Sequence, residues 1–92
     1  MQPQNSNLQI ISEEILVDIP RRTDGQECLR VRATKARTPD GKDVGWTDIR
    51  EFWKGDDGVW RPSRKGITVR ARELSAVAEA LSKAAKNTPS AT

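Results

Sequence analysis

The hydrophobic period of this chain changes once, and that change restricts the folds open to it. Up to residue 69 apolar and polar residues tend to alternate; over residues 71–86 the apolar ones recur at helical spacing. Ile15, Val17 and Ile19 alternate with Leu16 and Asp18, which predicts a first strand. Leu8 and Ile10 begin it, an irregularity falls near Glu13, and Pro20 ends it because proline cannot donate to a ladder. Asp24-Gly25 is a hairpin signal, since such a turn needs positive φ. Over residues 29–37, Leu29, Val31 and Ala33 share one parity and Arg30 and Arg32 the other. Lys35 and Arg37 then fall on the apolar parity, so the strand either bulges near Thr34 or passes the edge of the core there.

Pro39 and Gly41 mark the turn at residues 38–42. A third strand over about 44–53 places Val44, Trp46, Asp48, Arg50 and Phe52 on one side and Ile49, Glu51 and Trp53 on the other. Gly55 to Gly58 turns the chain into a fourth strand over 59–69, and Pro62 and Gly66 predict that this strand is irregular or lies at an edge. In the helical segment Leu74, Val77, Ala78, Leu81 and Ala85 form one stripe, and Lys83 and Lys86 suit the negative end of the helix. Four strands joined by local turns, then one helix, make an antiparallel α+β domain.

The chain has 92 residues and a mass of 10.3 kDa, enough for one domain, read here as residues 8–86 between a polar tail at 1–7 and another at 87–92. Val, Ile, Leu and Phe make up only about a fifth of it, and the net charge of +3 is too small to unfold it by repulsion. A folded chain with so thin a core is often completed by a second copy.

Several chemistries fall away. There is no His and a single Cys28, which excludes His-ligated metals, His-based nucleophile activation, an intrachain disulfide and a cysteine zinc site. The segment at Asp40–Gly45 has Lys42 where a calcium loop needs an oxygen, and Lys65-Gly66 lacks the glycine spacing of a phosphate loop. No enzyme, metal or cofactor is expected. No apolar run exceeds three residues, so neither a membrane span nor a signal peptide is expected, and one thiol without an export signal points to a reducing cytoplasm.

Charge is unevenly distributed. Residues 1–20 hold Glu13, Glu14 and Asp18 and no base; most of the basic excess lies in residues 21–70, together with Trp46, Trp53 and Trp60. Interleaved bases and aromatics suit nucleic acid, because cations meet phosphates and rings stack on bases. The competing reading is a solvated charged surface.

Residues 47–69 carry the most specific pattern: Asp48-Ile49-Arg50-Glu51-Phe52-Trp53, the turn Gly55 to Gly58, then Arg61-Pro62-Ser63-Arg64-Lys65-Gly66-Ile67, followed by the helix stripe. In order and spacing this resembles the core of the positive-cofactor-four family of transcriptional coactivators, in a compact form like prokaryotic or phage relatives. The resemblance is strong over about residues 44–82 and rests on strand pattern and length over 8–43.

The resemblance implies a strongly curved four-stranded antiparallel sheet followed by one helix, and a homodimer. It also implies non-enzymatic, largely sequence-independent binding of single-stranded DNA or melted duplex, with RNA as a related ligand. The role would lie in transcription regulation or in replication and repair, with those machineries as partners, in the nucleoid or a host cytoplasm. On this likeness Arg50, Trp53, Arg61, Arg64, Lys65 and Gly66 are candidate nucleic-acid contacts, with Arg32, Lys35 and Arg37 on the second strand. The chain has no aromatic on that strand, so Trp46 or Trp60 is the candidate replacement, and which of the two is core is left open. Leu74, Val77 and Leu81 are the core or dimer stripe. Arg70 stands where a capping residue is usual, with Thr68 as a candidate cap one turn earlier. The alternative function is a protein-interaction module on the same fold.

Overall fold

The structure, a computed structural model, describes residues 7–89. Of the expected tails at 1–7 and 87–92, residues 1–6 and 90–92 lie outside that range, and Asn87 belongs to the helix. Four strands, β1 (Gln9–Pro20), β2 (Glu27–Arg37), β3 (Asp43–Lys54) and β4 (Trp60–Arg70), precede one helix, α1 (Ala71–Asn87). The strands form a single antiparallel sheet in the order β1-β2-β3-β4, each paired with its neighbour in sequence. The turn glycines Gly25 and Gly58 have φ of 74° and 78°, in the region that side chains resist.

The irregularities lie where backbone constraint is weakest. The β2–β3 ladder runs without a slip from Glu27 opposite Trp53 to Arg37 opposite Asp43. The expected bulge near Thr34 is therefore absent from β2. Instead β1 slips twice, at Ile11 and Leu16, on either side of Glu13, which is itself paired with Thr34. β4 slips between its pairings with Arg50 and Phe52, and it is an edge strand, as Pro62 and Gly66 predict. Edge strands have one free side and accommodate extra residues that a central ladder excludes.

The better-sheltered parity of β2 is that of Cys28, Thr34 and Ala36, which are buried, whereas Leu29, Val31 and Ala33 are half-buried. Arg30 and Arg32 share the sheltered parity. Arg30 is satisfied there: its Nε and Nη2 donate to Asp18 at 2.8 and 3.1 Å, and its guanidinium lies 4.4 Å from the Phe52 ring centroid. A flat, weakly hydrated guanidinium is the cation best suited to lie over an aromatic face.

The core is small. Cys28, Ala36, Phe52 and Val69 are its buried apolar residues. The helix packs mainly on β3 and β4 and buries none of its own residues; of its stripe, Val77 is half-buried and Leu74 and Leu81 are exposed. Accessible surface is 7213 Å², against roughly 5,400 Å² for a compact monomer of this mass. The radius of gyration is 15.7 Å, where about 12 Å is usual for this length.

Thr68 does not cap the helix; its hydroxyl donates to Asp48 Oδ1 at 3.1 Å. The helix start is served instead by Glu73, whose carboxylate accepts the Arg70 backbone N–H at 2.9 Å. That is the acidic half of a capping box; a guanidinium has no acceptor to complete the other half.

Candidate nucleic-acid interface

The Asp-Ile-Arg-Glu segment of β3 alternates across the sheet, so Asp48 and Arg50 project to the same side and pair along one strand. Arg50 Nε and Nη2 donate to the two Asp48 oxygens at 2.9 and 3.0 Å, and Nη1 donates to the Ser63 carbonyl at 3.1 Å. Burial alone would raise the Asp48 carboxyl, but the hydrogen bonds from Arg50 and Thr68 outweigh it and hold the group below the ordinary carboxylate range. Arg50 is thus a brace. It ties β3 to the slipped part of β4, and its side chain is only 21% exposed.

That slip is where the basic cluster sits. Residues 63–65 lie between the pairings of Pro62 with Phe52 and of Gly66 with Arg50, opposite Glu51. The Lys65 backbone N–H donates to Ser63 Oγ at 3.0 Å, which tightens the loop. Among the described residues neither Arg64 nor Lys65 has an ion-pair partner, and both are exposed. Gly66 is required by the strand beside it. A Cβ there would meet Arg50 Cβ and the Ile49 carbonyl oxygen at 2.7 Å each. The missing side chain thus serves the approach of β4 to β3.

Trp53 is the exposed aromatic of the site, at 45%. It stands opposite Arg61, whose guanidinium lies 5.7 Å from the indole centroid. Arg61 is oriented by Asp57, with Nη1 and Nη2 donating at 3.1 and 2.7 Å. These side chains fold over the β3–β4 turn. A Cβ on Gly55 would come within 2.5 Å of Arg61 Nη1 and 3.6 Å of the indole. Close by, Arg21 donates to Glu51 at 3.2 Å, and a hydrogen bond with Glu51 pushes the Glu27 carboxyl up.

The other candidates are dispersed. Arg32 lies opposite Asp48 on the Arg50 side, with its Nε buried and unpartnered and its guanidinium 5.7 Å from the Phe52 centroid. Lys35 and Arg37 have the opposite parity, that of Trp53, toward the far end of β2. Lys35 has no ion pair among the described residues, whereas Arg37 donates to Asp43 at 2.8 Å. The sheet therefore brings Trp53, Arg61, Arg64 and Lys65 together at one end, braced by Arg50, and sets Lys35 and Arg37 apart. Neither Trp46 nor Trp60 is core; both are half-buried.

Three participants escaped the sequence reading. Ser63 acts through its carbonyl, which side-chain identity does not advertise. Asp57 is the i−4 neighbour of Arg61, a spacing visible in the sequence. Lys54, 5.4 Å from the Trp60 centroid, follows the Trp53 motif directly. Among the described residues no helix is long and apolar enough to cross a membrane, and no cluster of metal-ligating side chains occurs.

Residues 42–80 match the family model described as Transcriptional Coactivator p15 (PC4). No curated protein matches the chain. Among solved structures, the crystal structure of a PC4 homolog from Burkholderia pseudomallei superposes with a TM-score of 0.60, at 22% identity over 80% of this chain and 98% of that one. The likeness at that identity is one of fold, and it extends beyond the segment that the family model covers.

Proposed function

We propose that this chain, a PC4-type protein by its residues 42–80 and its fold, binds single-stranded nucleic acid without sequence selection and without catalysis, as a homodimer. The observation that carries the reading is the juxtaposition of an exposed indole, Trp53, with Arg64 and Lys65, cations on the braced slip of β4 that have no ion pair among the described residues. An indole left in water is a stacking platform for a base, and adjacent cations meet the phosphates on either side of it. Arg61 supplies a third charge, held in place by Asp57, and Arg50 acts by positioning the loop at Ser63.

The dimer is supported by what the monomer leaves uncovered. Leu74 and Leu81 on α1 are 40% and 56% exposed, and the accessible surface is well above that of a compact monomer. A two-fold pair would present two such tracks, suited to the separated strands of a melted duplex. A transcription role follows from the family likeness and stands as part of the proposal.

The test is fluorescence anisotropy of a labelled oligo-dT of about 20 nucleotides at two salt concentrations, with matched duplex as competitor. The expected result is binding that resists the duplex and weakens with a slope on the order of −0.7 per neutralised phosphate. No binding at low salt overturns the reading. Sedimentation equilibrium at twice 10.3 kDa supports the dimer, and the monomer mass refutes it.

One observation favours a second reading. The edge strand β1 leaves Ile10, Ile11, Ile15, Leu16, Val17 and Ile19 exposed and carries acids but no base. Such a strand suits a protein partner and not a phosphate backbone. Partner binding that survives neutralisation of Lys65 and Arg64 would favour this reading.

A further inference from the structure

A cavity of about 140 Å³ opens beside Trp60, lined by Asp18, Pro20, Gly25, Glu27, Cys28 and Trp60. The Trp60 indole reaches across β3, because the Arg30 guanidinium of β2 lies 5.8 Å from its centroid. The site described above does not use it. Trp60 pairs with Lys54 and so projects to the opposite side from Trp53, across the β3–β4 turn.

Resting on the reading that the chain binds single-stranded nucleic acid, we infer that this cavity is a pocket for one pyrimidine base, stacked on Trp60. Three observations carry the inference. The first is size: a cavity of roughly 150 Å³ accommodates one benzene ring, so this one matches the six-membered ring of a pyrimidine. The second is polarity. The lining carries the Asp18 carboxylate, which Arg30 holds in place; Glu27 contributes no carboxylate, because it pairs with Trp53 in register and its carboxyl lies on the other side of the sheet, beside Glu51. A carboxylate repels a phosphate and accepts from the N–H groups on a pyrimidine edge, thymine N3–H or cytosine N4–H₂, so the base enters and the backbone stays out. The third is the cation outside. Lys54 Nζ stands 5.4 Å from the indole centroid and has no ion pair among the described residues, which places a phosphate partner next to the stacking ring. A strand rounding the β3–β4 turn from Trp53 delivers its next bases here.

The experiment compares labelled oligo-dT, oligo-dC, oligo-dA and an abasic strand of equal length on the full chain and on Trp60→Leu and Trp60→Phe. The expected result is roughly fivefold to tenfold tighter binding of dT and dC than of dA. Trp60→Leu abolishes that preference and leaves the abasic strand within twofold, while Trp60→Phe keeps part of the preference. Photo-crosslinking of a strand carrying 5-iodouracil, mapped by mass spectrometry, places an adduct on Trp60. Equal affinity for dA and dT with no effect of Trp60→Leu overturns the pocket and leaves the proposed function standing. A uniform loss on all strands, abasic included, with no adduct on Trp60, reduces Trp60 to packing and also overturns it. Failure of the full chain to bind any strand overturns both.

Discussion

Arg50 and Lys65 carry the same charge within one β3–β4 pairing of each other, yet they occupy opposite physical situations. Arg50 is partly buried and bonded to Asp48 and the Ser63 carbonyl; Lys65 is exposed and has no ion pair among the described residues. The first cation holds the fold together and the second is available to a ligand. A basic residue in a motif therefore reads as a contact only once its acceptors have been counted.

The contrast breaks most severely at Asp48. Asp48→Ala leaves Arg50 without its bidentate partner and Thr68 without its acceptor, and is expected to cost about 3 kcal/mol in chemical denaturation. The same pair has a pH signature. Because the folded-state Asp48 carboxyl lies below its ordinary value of 3.8, its contribution is present above that value and is lost as pH falls through the lower, folded value. Acid titration of Asp48→Asn should lack that component, and an unchanged acid limb would count against the brace.

Gly66→Ala comes next, at about 2 kcal/mol of lost stability, since the added methyl meets backbone atoms of β3 that cannot swing aside. A thermal melt unaffected by Gly66→Ala would show that β4 stands off from β3. Trp53→Ala is expected to leave stability nearly unchanged and to weaken oligo-dT binding by roughly tenfold, the loss of one stacked base. Equal affinity in this variant would remove the indole from the interface. Lys65→Ala is the smallest effect: stability within about 0.5 kcal/mol and a salt slope shallower by about 0.7. If Lys65→Ala instead lowers stability as much as Arg50→Ala does, the division between brace and contact collapses.

Much of the fold was legible locally. The parity of β3, with Asp48, Arg50 and Phe52 on one side and Trp53 on the other, follows from strict alternation and holds along the whole strand. Pro62 and Gly66 announced an irregular edge strand because each disfavours a central ladder. The failure over β2 has a definite reason. Leu29, Val31 and Ala33 look like the core face by composition, but Arg30 and Arg32 take the sheltered side because Asp18 and Phe52 are there to receive Arg30. Those partners come from two other strands, and no window on β2 contains them. Within the candidate site, Trp53, Arg61, Arg64 and Lys65 were visible as a composite motif. The pairing of Arg50 with Asp48, two residues away on the same side of one strand, was within reach of the sequence; its third acceptor, a main-chain carbonyl thirteen residues away, was not.

The sequence by itself determined the number, type and order of the elements, because period, turn glycines and prolines act on the backbone within a few residues. Tertiary structure alone decided which cations are bound and which are free, and which side of the sheet each tryptophan serves. It also left Leu74 and Leu81 of the helix, and β1, exposed. Those outcomes depend on cross-strand register and on where β4 slips, and register is fixed by pairing between segments that lie far apart in the chain.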